Sequence, residues 1–292
     1  MDKVLVIIVT YNAHDWIHQC LNSVDMERYD AFVVDNASSD DTLQILQAEY
    51  PKAIVRAMDK NLGFGQANNI GLRYALDNGY DYVFLLNQDA WLLPDTIEKL
   101  IEAQKQNPEY WILSPLQMNT EQGGIEKQFQ VYCDKNKISL DIVTPQPVDF
   151  ANAAMWLMPI KCLKIVGGFD PIFPHYGEDV DYTNRVKYWQ KKIGVLANVH
   201  GYHERVQGKD TLQKMQNRTQ LTMLGMLLNV NYSFCATICQ VIFFVARKVI
   251  KGVLSKDVLL IKAYIKAIII LMRERCNILE HRGCSRLTKA YL

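Results

Sequence analysis

Carboxylates that can bind a cation or accept a proton stand at two places in this sequence. Asp89 ends the triplet Asn87-Gln88-Asp89, which directly follows the apolar run Tyr82–Leu86. The second place is the acidic cluster of Glu178, Asp179 and Asp181. Taken alone, such a cluster is typical of a solvated helix start, where carboxylates interact favourably with the helix dipole. Asp89 alone is typical of an ordinary turn, so the surrounding elements decide the interpretation.

Those elements predict a sheet that presents Asp89 at one edge. Short apolar runs are typical of strands buried on both faces. Strands that alternate with helices indicate an α/β fold, with a doubly wound, mainly parallel sheet and helices on both faces. Ligands of such sheets bind beyond the carboxyl ends of the strands, where Asp89 stands. The predicted strands are residues 4–9, 31–34, 54–56 and 82–86, with helices over residues 15–24 and 42–50 and one that residues 61–69 lead into and that runs through Leu76.

Polar residues follow the other strands as well. Thr10, Tyr11 and Asn12 follow the first strand, and Asp35 ends the second. A carboxylate can accept hydrogen bonds from a base N–H or a ribose hydroxyl, while Thr10 and Tyr11 can line a base pocket. These strand ends therefore predict a nucleotide site.

Glycines at 63 and 65 allow the backbone to approach a ligand closely. The Gly-x-Gly-x-x-Gly signature of dinucleotide-binding enzymes does not follow the first strand, which argues against a nicotinamide enzyme. A sugar nucleotidyltransferase would also carry a Gly-rich loop where Thr10-Tyr11-Asn12 stands.

The second half of the sequence is less regular. A helix is predicted over residues 94–106, and strands over 113–118, 150–158 and 195–200. Residues 119–147 are polar and poorly periodic, which favours a loop or small hairpin. Gly167-Gly168-Phe169-Asp170 indicates a tight turn, and Trp156 is interpreted as a core residue rather than a ligand platform.

Four segments share an order and spacing that is specific when taken together. They are Ile8-Val9-Thr10-Tyr11-Asn12, Val34-Asp35-Asn36-Ala37-Ser38, Asn61-Leu62-Gly63-Phe64-Gly65 with Ala67-Asn68-Asn69, and Leu86-Asn87-Gln88-Asp89. In this arrangement they resemble the family 2 glycosyltransferases of the GT-A fold, in particular the rhamnosyltransferase-like branch. The resemblance extends over about residues 3–205.

The resemblance implies a donor site. In that family an Asp-x-Asp element binds a divalent cation on the donor diphosphate, and here it reads Asn87-Gln88-Asp89. Asp89 is then the carboxylate ligand for Mg²⁺ or Mn²⁺, and Asn87 is a weaker ligand for a hard cation. A histidine completes the metal site or contacts the diphosphate, and His200 is preferred to His203. The implied nucleotide-binding residues are Thr10, Tyr11, Asn12, Asp35, Asn61, Gly63, Gly65, Asn68, Asn87 and Gln88.

The resemblance also implies an inverting single displacement, in which a carboxylate deprotonates the acceptor hydroxyl. By position Asp179 is the expected base, and Glu178 contacts or orients the acceptor. A neighbouring carboxylate should raise one pKa of this pair. Arg185 is expected to form a salt bridge rather than to bind phosphate.

Charge divides the chain into an acidic body and a basic tail. Residues 1–204 hold 17 Lys and Arg against 27 Asp and Glu, whereas residues 205–292 hold 15 against 4. We therefore expect a glycosyltransferase domain over 1–205, with a nucleotide-binding half to about 118 and an acceptor half from 119, and a helical tail over 206–292. Seven cysteines without a Cys-x-x-Cys pair favour a reducing compartment. No signal peptide is predicted, because Met1-Asp2-Lys3 leads directly into a strand.

The tail is apolar as well as basic, which predicts contact with a membrane surface through about residues 219–275. Polar residues interrupt the uncharged run over residues 219–246, so its apolar part falls short of a spanning helix. Over residues 258–272, Lys262, Lys266 and Arg273 share one predicted helix face, with Ile and Leu opposite, as in a helix lying in the membrane interface. A dimerisation or core-covering helix pair remains the alternative. Nucleic acid is not an expected partner, because no recognisable binding motif accompanies the basic residues.

These patterns together predict a glycosyltransferase peripheral to the cytoplasmic face of the inner membrane. It would move a sugar, such as rhamnose, from a dTDP-, UDP- or GDP-sugar to a glycan or polyprenyl-linked acceptor. Three alternatives stay open: an inactive partner subunit of the same fold, a soluble glycosyltransferase whose tail forms a homodimer, and a nucleotidyltransferase.

Overall fold

The computed structural model of the protein describes residues 2–120, 123–205 and 212–292. Its described residues form one mixed sheet flanked by helices, followed by a helical tail. The strands are β1 Val4–Thr10, β2 Asp30–Asp35, β3 Ile54–Ala57, β4 Tyr82–Asn87, β5 Ala90–Leu92, β6 Tyr110–Asn119, β7 Gly124–Ile125, β8 Gln146–Val148, β9 Met155–Pro159 and β10 Lys192–His203. The helices are α1 Ile17–Asn22, α2 Thr42–Glu49, α3 Phe64–Asp77, α4 Thr96–Gln106, α5 Lys127–Asn136, α6 Ile160–Val166, α7 Glu178–Tyr188, α8 Leu212–Leu228, α9 Phe234–Leu254, α10 Val258–Arg273 and α11 Arg275–Cys284.

The strand order is β3-β2-β1-β4-β9-β6-β10-β5. Strands β3, β2, β1 and β4 are all parallel, as predicted for the nucleotide-binding half. The expectation of a mainly parallel sheet is wrong for the second half. There β9 runs antiparallel between β4 and β6, and β5 runs antiparallel to β10. The sheet is mixed because β9, from the second half of the chain, runs opposite to its two neighbours, β4 and β6.

Both faces of the sheet are covered by apolar side chains. Leu5 and Ile7 of β1 point into one cluster, which includes Leu72 of α3. The alternate residues of the same strand point into a second cluster on the other face, with α1 and α4. Trp156 is fully buried in the first cluster, which confirms its assignment to the core. Burial on both faces explains the uninterrupted apolar runs of the sequence.

Residues 119–147 contain the predicted small hairpin, in which β7 pairs antiparallel with the end of β6. They also contain the unpredicted helix α5, which begins where the Glu126 side chain accepts a hydrogen bond from the Phe129 backbone N–H at 2.8 Å. Only Phe129 and Cys133 of this helix are buried. An apolar pattern of two residues is too weak to predict a helix, which explains the error.

Two strand boundaries also differ from the sequence prediction. β9 begins at Met155, so residues 150–154 precede the strand. β10 continues to His203, three residues beyond the predicted end, because its last residues pair with β5.

A buried ion pair ties α7 to the turn before it. The Arg185 Nε donates to Asp181 Oδ2 at 2.7 Å, and neither side chain is appreciably exposed. Its two terminal nitrogens donate to the carbonyls of Val166 and Gly168 at 2.9 and 2.7 Å. The expected salt bridge of Arg185 is confirmed. Together with the two carbonyls, it gives each nitrogen of the buried guanidinium a hydrogen-bond partner.

The tail forms a third apolar cluster and packs against the body. Phe173, which precedes α7, lies in this cluster with residues of α8, α9, α10 and α11. His281 of α11 contacts the buried Asp170 carboxylate at 2.6 Å, and the Gly168 N–H donates to the Ala290 carbonyl at 2.8 Å. The predicted boundary after residue 205 adjoins residues 206–211, which lie outside the described residues, so the domain division stays a prediction. Within the described ranges, every helix falls short of the length and apolarity that crossing a bilayer requires.

We expect Arg185→Met to lower the free energy of unfolding by about 3–5 kcal/mol, because it leaves the Asp181 carboxylate buried and uncompensated. Urea unfolding followed by circular dichroism measures the loss. The matched control is the double variant Asp181→Leu/Arg185→Met, which removes both charges and should recover part of the stability. A loss below about 1 kcal/mol in the single variant would show that the pair is not a buried ion pair.

Candidate active site

The predicted donor residues meet where the strand order reverses. From β1 the chain proceeds outward to β2 and β3, then crosses to β4 on the other side of β1. In the register, Thr10 pairs with Asp35 and Val9 pairs with Asn87. The carboxyl ends of these three strands therefore form one edge, and such a switch point is where open α/β sheets bind ligands.

Asp35 is the centre of a small hydrogen-bond network at this edge. Its Oδ1 accepts from the Thr10 hydroxyl at 3.1 Å and from the Ser38 hydroxyl, and its Oδ2 accepts from the Ser38 N–H at 3.1 Å. An ionised carboxylate offers about four acceptor positions, so one remains on Oδ2. Asp35 can therefore accept a further hydrogen bond from a base N–H or a ribose hydroxyl.

The loops beyond β1, β2 and β4 are held to one another. The Tyr11 backbone exchanges two hydrogen bonds with the Gln88 amide, at 2.7 and 3.2 Å. Asn12 bonds Ser38 and Ser39 of the neighbouring loop through its backbone and side chain. These contacts leave the Tyr11 ring 47% exposed, so it is accessible for stacking on a base.

A pocket of about 310 Å³ adjoins this edge. The Asn61 Oδ1 accepts from Asn36 Nδ2 at 3.0 Å and from the Gly63 N–H at 2.8 Å, which shapes its wall. The pocket is lined by Lys60, Asn61, Leu62, Gly63, Gln66 and Pro174.

The glycines at 63 and 65 pack against another segment of the same chain, a contact that the sequence does not reveal. A Cβ on Gly63, whose φ is +79°, would lie 1.9 Å from the Pro174 carbonyl oxygen. A Cβ on Gly65 would lie 3.0 Å from Phe169 Cβ and 3.4 Å from the Glu178 side chain. The two glycines thus bring residues 61–65, which we call the donor loop because they belong to the predicted donor site, against the segment that leads into α7. The sequence suggested that glycine is needed here for close approach to a ligand. The structure adds a second reason, which is this packing contact.

Asn68 is buried and makes a contact within its own helix. Its Nδ2 donates to the Phe64 carbonyl one turn earlier in α3 at 2.9 Å. A residue four positions into a helix can bond back to that helix in this way. The assignment of Asn68 to the nucleotide site stays a prediction.

Asp89 is accompanied by His203 and not by His200. The His203 Nε2 lies 3.4 Å from Asp89 Oδ1, and the Glu204 N–H donates to the Asp89 carbonyl at 2.9 Å. The antiparallel pairing of β5 with β10 places Ala90 opposite His203. At His200, the backbone carbonyl accepts from the Thr96 hydroxyl at 3.0 Å. The structure thus places His203 rather than His200 beside Asp89, because β10 extends three residues further and carries a register shift between Leu196 and His200.

A buried amide fixes the His203 ring. The Gln117 Nε2 donates to Asn152 Oδ1 at 2.6 Å, which leaves its Oε1 to accept from His203 Nδ1 at 3.1 Å. The ring thus turns Nδ1 toward Gln117 and Nε2 toward Asp89. An imidazole oriented through its other nitrogen is the usual arrangement of a metal-ligating histidine.

The donor groups fit a divalent cation that also takes phosphate oxygens. The Asn87 Oδ1, two residues before Asp89, is buried and has no hydrogen-bond partner in the described chain. Amide oxygen, carboxylate oxygen and imidazole nitrogen are all ligands for Mn²⁺, and oxygens suit Mg²⁺. Among the described residues no three His, Cys, Asp or Glu side chains form a metal-binding group. Asp89 and His203 would therefore hold a cation only together with the diphosphate.

The predicted base and its neighbour, Asp179 and Glu178, begin α7 after Gly177. Burial, and next the charge of Asp179, raise the pKa of Glu178 to about 8. Burial also raises the pKa of Asp179 to about 6, although hydrogen bonds from backbone N–H groups oppose the shift. The neighbouring carboxylate contributes to the raised pKa of Glu178, as predicted, whereas the pKa of Asp179 is raised by burial alone. At neutral pH Glu178 is thus mainly protonated, whereas Asp179 is a carboxylate.

Several residues near Asp179 were missed from the sequence. The backbone N–H of Ala153 and the charge of Arg205 both lower its pKa. Burial, and next the Asp179 charge, raise the pKa of Tyr132 on α5. The unpredicted α5 thus lies near Asp179. Its cap, Glu126, gives little signal in the sequence, because a glutamate followed by Phe129 is not a capping box.

Comparison with known proteins identifies related sequences. The family model described as "Glycosyl transferase family 2" matches residues 5–161, more than half of the chain. The N-acetylglucosaminyl-diphospho-decaprenol L-rhamnosyltransferase of Mycobacterium tuberculosis is 26% identical over 216 residues, which cover 63% of this chain and 70% of that protein. The dTDP-rhamnosyl transferase RfbF of Shigella flexneri is 29% identical over 99 residues, which cover 34% of this chain and 33% of that protein.

Solved structures of S. aureus TarS share the fold. The TarS 1-349 complex with UDP superposes with a TM-score of 0.58 at 18% identity, over 97% of this chain and 90% of that one. The complex with UDP-GlcNAc gives a TM-score of 0.59 at 17% identity over the same shares of the two chains. The likeness covers the tail as well as the sheet, and it supports a GT-A-like α/β fold.

We expect His203→Ala to weaken Mn²⁺-dependent nucleotide binding at least tenfold, the size of effect that loss of a metal's supporting groups produces. His200→Ala is the matched control and should bind as the wild type does. Isothermal titration calorimetry with UDP and dTDP, with and without Mn²⁺, measures both. Equal losses in the two variants would contradict the placement of His203 beside the cation.

Proposed function

Because this chain belongs to glycosyl transferase family 2, we propose that it transfers a sugar from a nucleoside-diphosphate donor to an acceptor hydroxyl with inversion at the anomeric carbon. The observation that carries the proposal is the packing of Gly63 and Gly65 against Pro174 and Glu178, which sets Glu178 and Asp179 beside the predicted nucleotide edge. A pKa of about 6 leaves Asp179 ionised at neutral pH, as a general base must be.

The donor site is proposed at the carboxyl ends of β1, β2 and β4. Asp35 retains an acceptor position for the base or ribose, and Tyr11 offers an exposed ring. The relatives support a nucleoside-diphosphate sugar, since TarS is named in complex with UDP and RfbF is named a dTDP-rhamnosyl transferase. A deoxysugar such as rhamnose from a dTDP donor is the proposed substrate, with UDP- and GDP-sugars as the alternatives.

We assign the cation, Mg²⁺ or Mn²⁺, to Asp89 and His203. When bound, it would neutralise the negative charge that develops on the departing diphosphate. Gln117 would hold the His203 ring in the orientation that leaves Nε2 available. Asn87, with its unpaired Oδ1, would contact the same group directly or through water.

On the acceptor side, Asp179 would take the proton of the attacking hydroxyl. Glu178, protonated at neutral pH, would donate a hydrogen bond to the acceptor or to the bound sugar. The Gly65–Glu178 contact supports this arrangement, because it sets the catalytic pair against the donor loop. The name of the M. tuberculosis relative supports a polyprenyl-diphosphate-linked acceptor for the growing glycan.

The proposed location is the cytoplasmic face of the inner membrane. All seven cysteines are free in the structure, which is compatible with a reducing compartment. An acceptor carried on a polyprenyl chain would be confined to the bilayer.

We expect Asp179→Asn to reduce turnover by about 10²–10⁴-fold while nucleotide binding stays within twofold, because only proton removal is lost. In the wild type, kcat/KM should fall as pH drops through about 6, since protonation removes the base. Release of the nucleoside diphosphate, with dTDP-rhamnose and an N-acetylglucosaminyl-diphospho-polyprenol, measures both.

Glu178→Gln is the matched control for that experiment. An amide resembles the protonated carboxyl that Glu178 carries below about pH 8, so this variant should lose less than tenfold at pH 7. A larger loss in Glu178→Gln than in Asp179→Asn would exchange the two roles. Turnover without Asp179 and without pH dependence would refute the proposed base.

A further inference from the structure

Large apolar side chains are exposed together where α9 turns into α10. Five of them flank the three-residue turn, and we call this group the hairpin tip. Their exposed fractions lie between 55% and 80%, the largest being that of Leu254. The hairpin tip consists of Ile250, Val253, Leu254, Val258 and Leu259. Its members lie within ten residues of one another, at the end of α9 and the start of α10.

The patch continues along the outer face of α9. Ile242 and Phe243 are 63% and 66% exposed, and Phe243, Ile250 and Leu254 are spaced by seven and four residues on one helix face. The buried residues Thr237, Val245 and Gly252 define the inner face that packs on the tail. The outer face is therefore apolar in a helix whose inner face is already covered.

Cationic residues border this apolar surface. Residues 234–273 contain seven, and the one acid in the range is Asp257, whose Oδ1 accepts from the Leu260 N–H to begin α10. The Arg247 guanidinium lies 5.9 Å from the ring centre of exposed Phe243. None of the seven forms a salt bridge with a described carboxylate. They are Arg247, Lys248, Lys251, Lys256, Lys262, Lys266 and Arg273.

In α10 the basic face predicted from the sequence is exposed, whereas the apolar residues opposite it are not. Ala263, Tyr264, Ala267 and Leu271 are buried in the tail. The exposed apolar residues of this helix, Ile265, Ile269 and Met272, instead lie beside the lysines. Apolar and cationic groups thus share one outer surface.

This combination favours a lipid surface over a second copy of the chain. A symmetric dimer would bring the same patch against itself, so the cations of one copy would face those of the other. Anionic headgroups complement the cations, and the acyl boundary accepts the apolar side chains. The hairpin lies on a membrane in this arrangement, because no described helix can span one.

The tail holds the hairpin in a fixed relation to the catalytic helix. The Arg282 side chain of α11 donates to the carbonyls of Leu227 and Asn229, at 2.6 and 2.8 Å, and to that of Tyr232. The Asn231 side chain donates to the Asn184 carbonyl of α7 at 2.8 Å. A surface bound by the hairpin would thus lie at a set position relative to Asp179.

We infer that the outer surface of the α9–α10 hairpin docks the protein on a bilayer that contains anionic lipid, with the hairpin tip inserted among the headgroups. The consequence for catalysis, delivery of a lipid-linked acceptor to Asp179, rests on the proposed function. The docking itself does not.

Flotation of the full chain with vesicles of phosphatidylcholine, with and without 30% phosphatidylglycerol, tests the inference. We expect binding to the anionic vesicles, a loss of at least tenfold in Ile250→Glu/Leu254→Glu, and about fivefold for each lysine removed in Lys251→Ser/Lys262→Ser. Leu287→Glu, at a 62% exposed residue of the tail outside the hairpin, is the matched control and should bind normally.

Equal binding of Ile250→Glu/Leu254→Glu and wild type, or no binding to anionic vesicles, would overturn the inference. A dimer in sedimentation velocity that the same variant dissociates would assign the surface to a second copy instead. Nucleotide binding by the variant separates the two proposals. If it is retained while flotation is lost, docking is supported independently; if the wild type floats but binds no nucleotide, only the proposed function fails.

Discussion

The structure depends on one close approach, that of the donor loop to the segment leading into α7. No side chain fits at Gly63, since a Cβ would overlap the Pro174 carbonyl, and little space remains at Gly65 beside Glu178. The contact makes the wall of the pocket beside Asn61 and the carboxylates of Glu178 and Asp179 parts of one packed unit. In the proposed in-line displacement, the distance between leaving group and base would then be fixed by backbone packing, which is stiffer than a side-chain contact.

Buried charge maintains the other side of that unit. Arg185 bonds Asp181 and two carbonyls of the turn after α6, and the Tyr291 ring lies 5.3 Å from its guanidinium carbon. His281 pairs with Asp170 close by. The tail therefore completes the environment of α7, in addition to carrying the exposed hairpin. Its removal would leave buried polar groups without partners, which is costly in a low-dielectric interior.

The sequence predicts best what local pattern determines. The strands ending at Thr10, Asp35 and Asn87 are buried on both faces, so their apolar runs are distinct and their polar ends stand out. The family follows from those same ends. The tail's basic face was also predictable from helical spacing, although which apolar residues it buries depends on the neighbouring helices.

The features that sequence reasoning missed depend on long-range pairing. His203 lies beside Asp89 because β5 pairs with the far end of β10, and a register shift in β10 hides that from any count along the chain. The antiparallel β9 is likewise set by its neighbours. Helix α5 is held by two buried residues and a glutamate cap, too little to distinguish it from a loop. Asn68 differs from these residues, because it belongs to a sequence motif and yet its Nδ2 donates to a carbonyl of its own helix.

The central claim is that the carboxyl ends of β1, β2 and β4 bind a nucleoside diphosphate through a cation on Asp89. Calorimetric titration of UDP, dTDP, GDP and CMP into the wild type and Asp89→Ala, with and without Mn²⁺, tests it most directly. The account predicts metal-dependent binding of one diphosphate that the variant loses. If none of the four nucleotides bound, with or without Mn²⁺, this edge would not be a nucleotide site. A catalytically inactive partner subunit of the same fold would then be favoured.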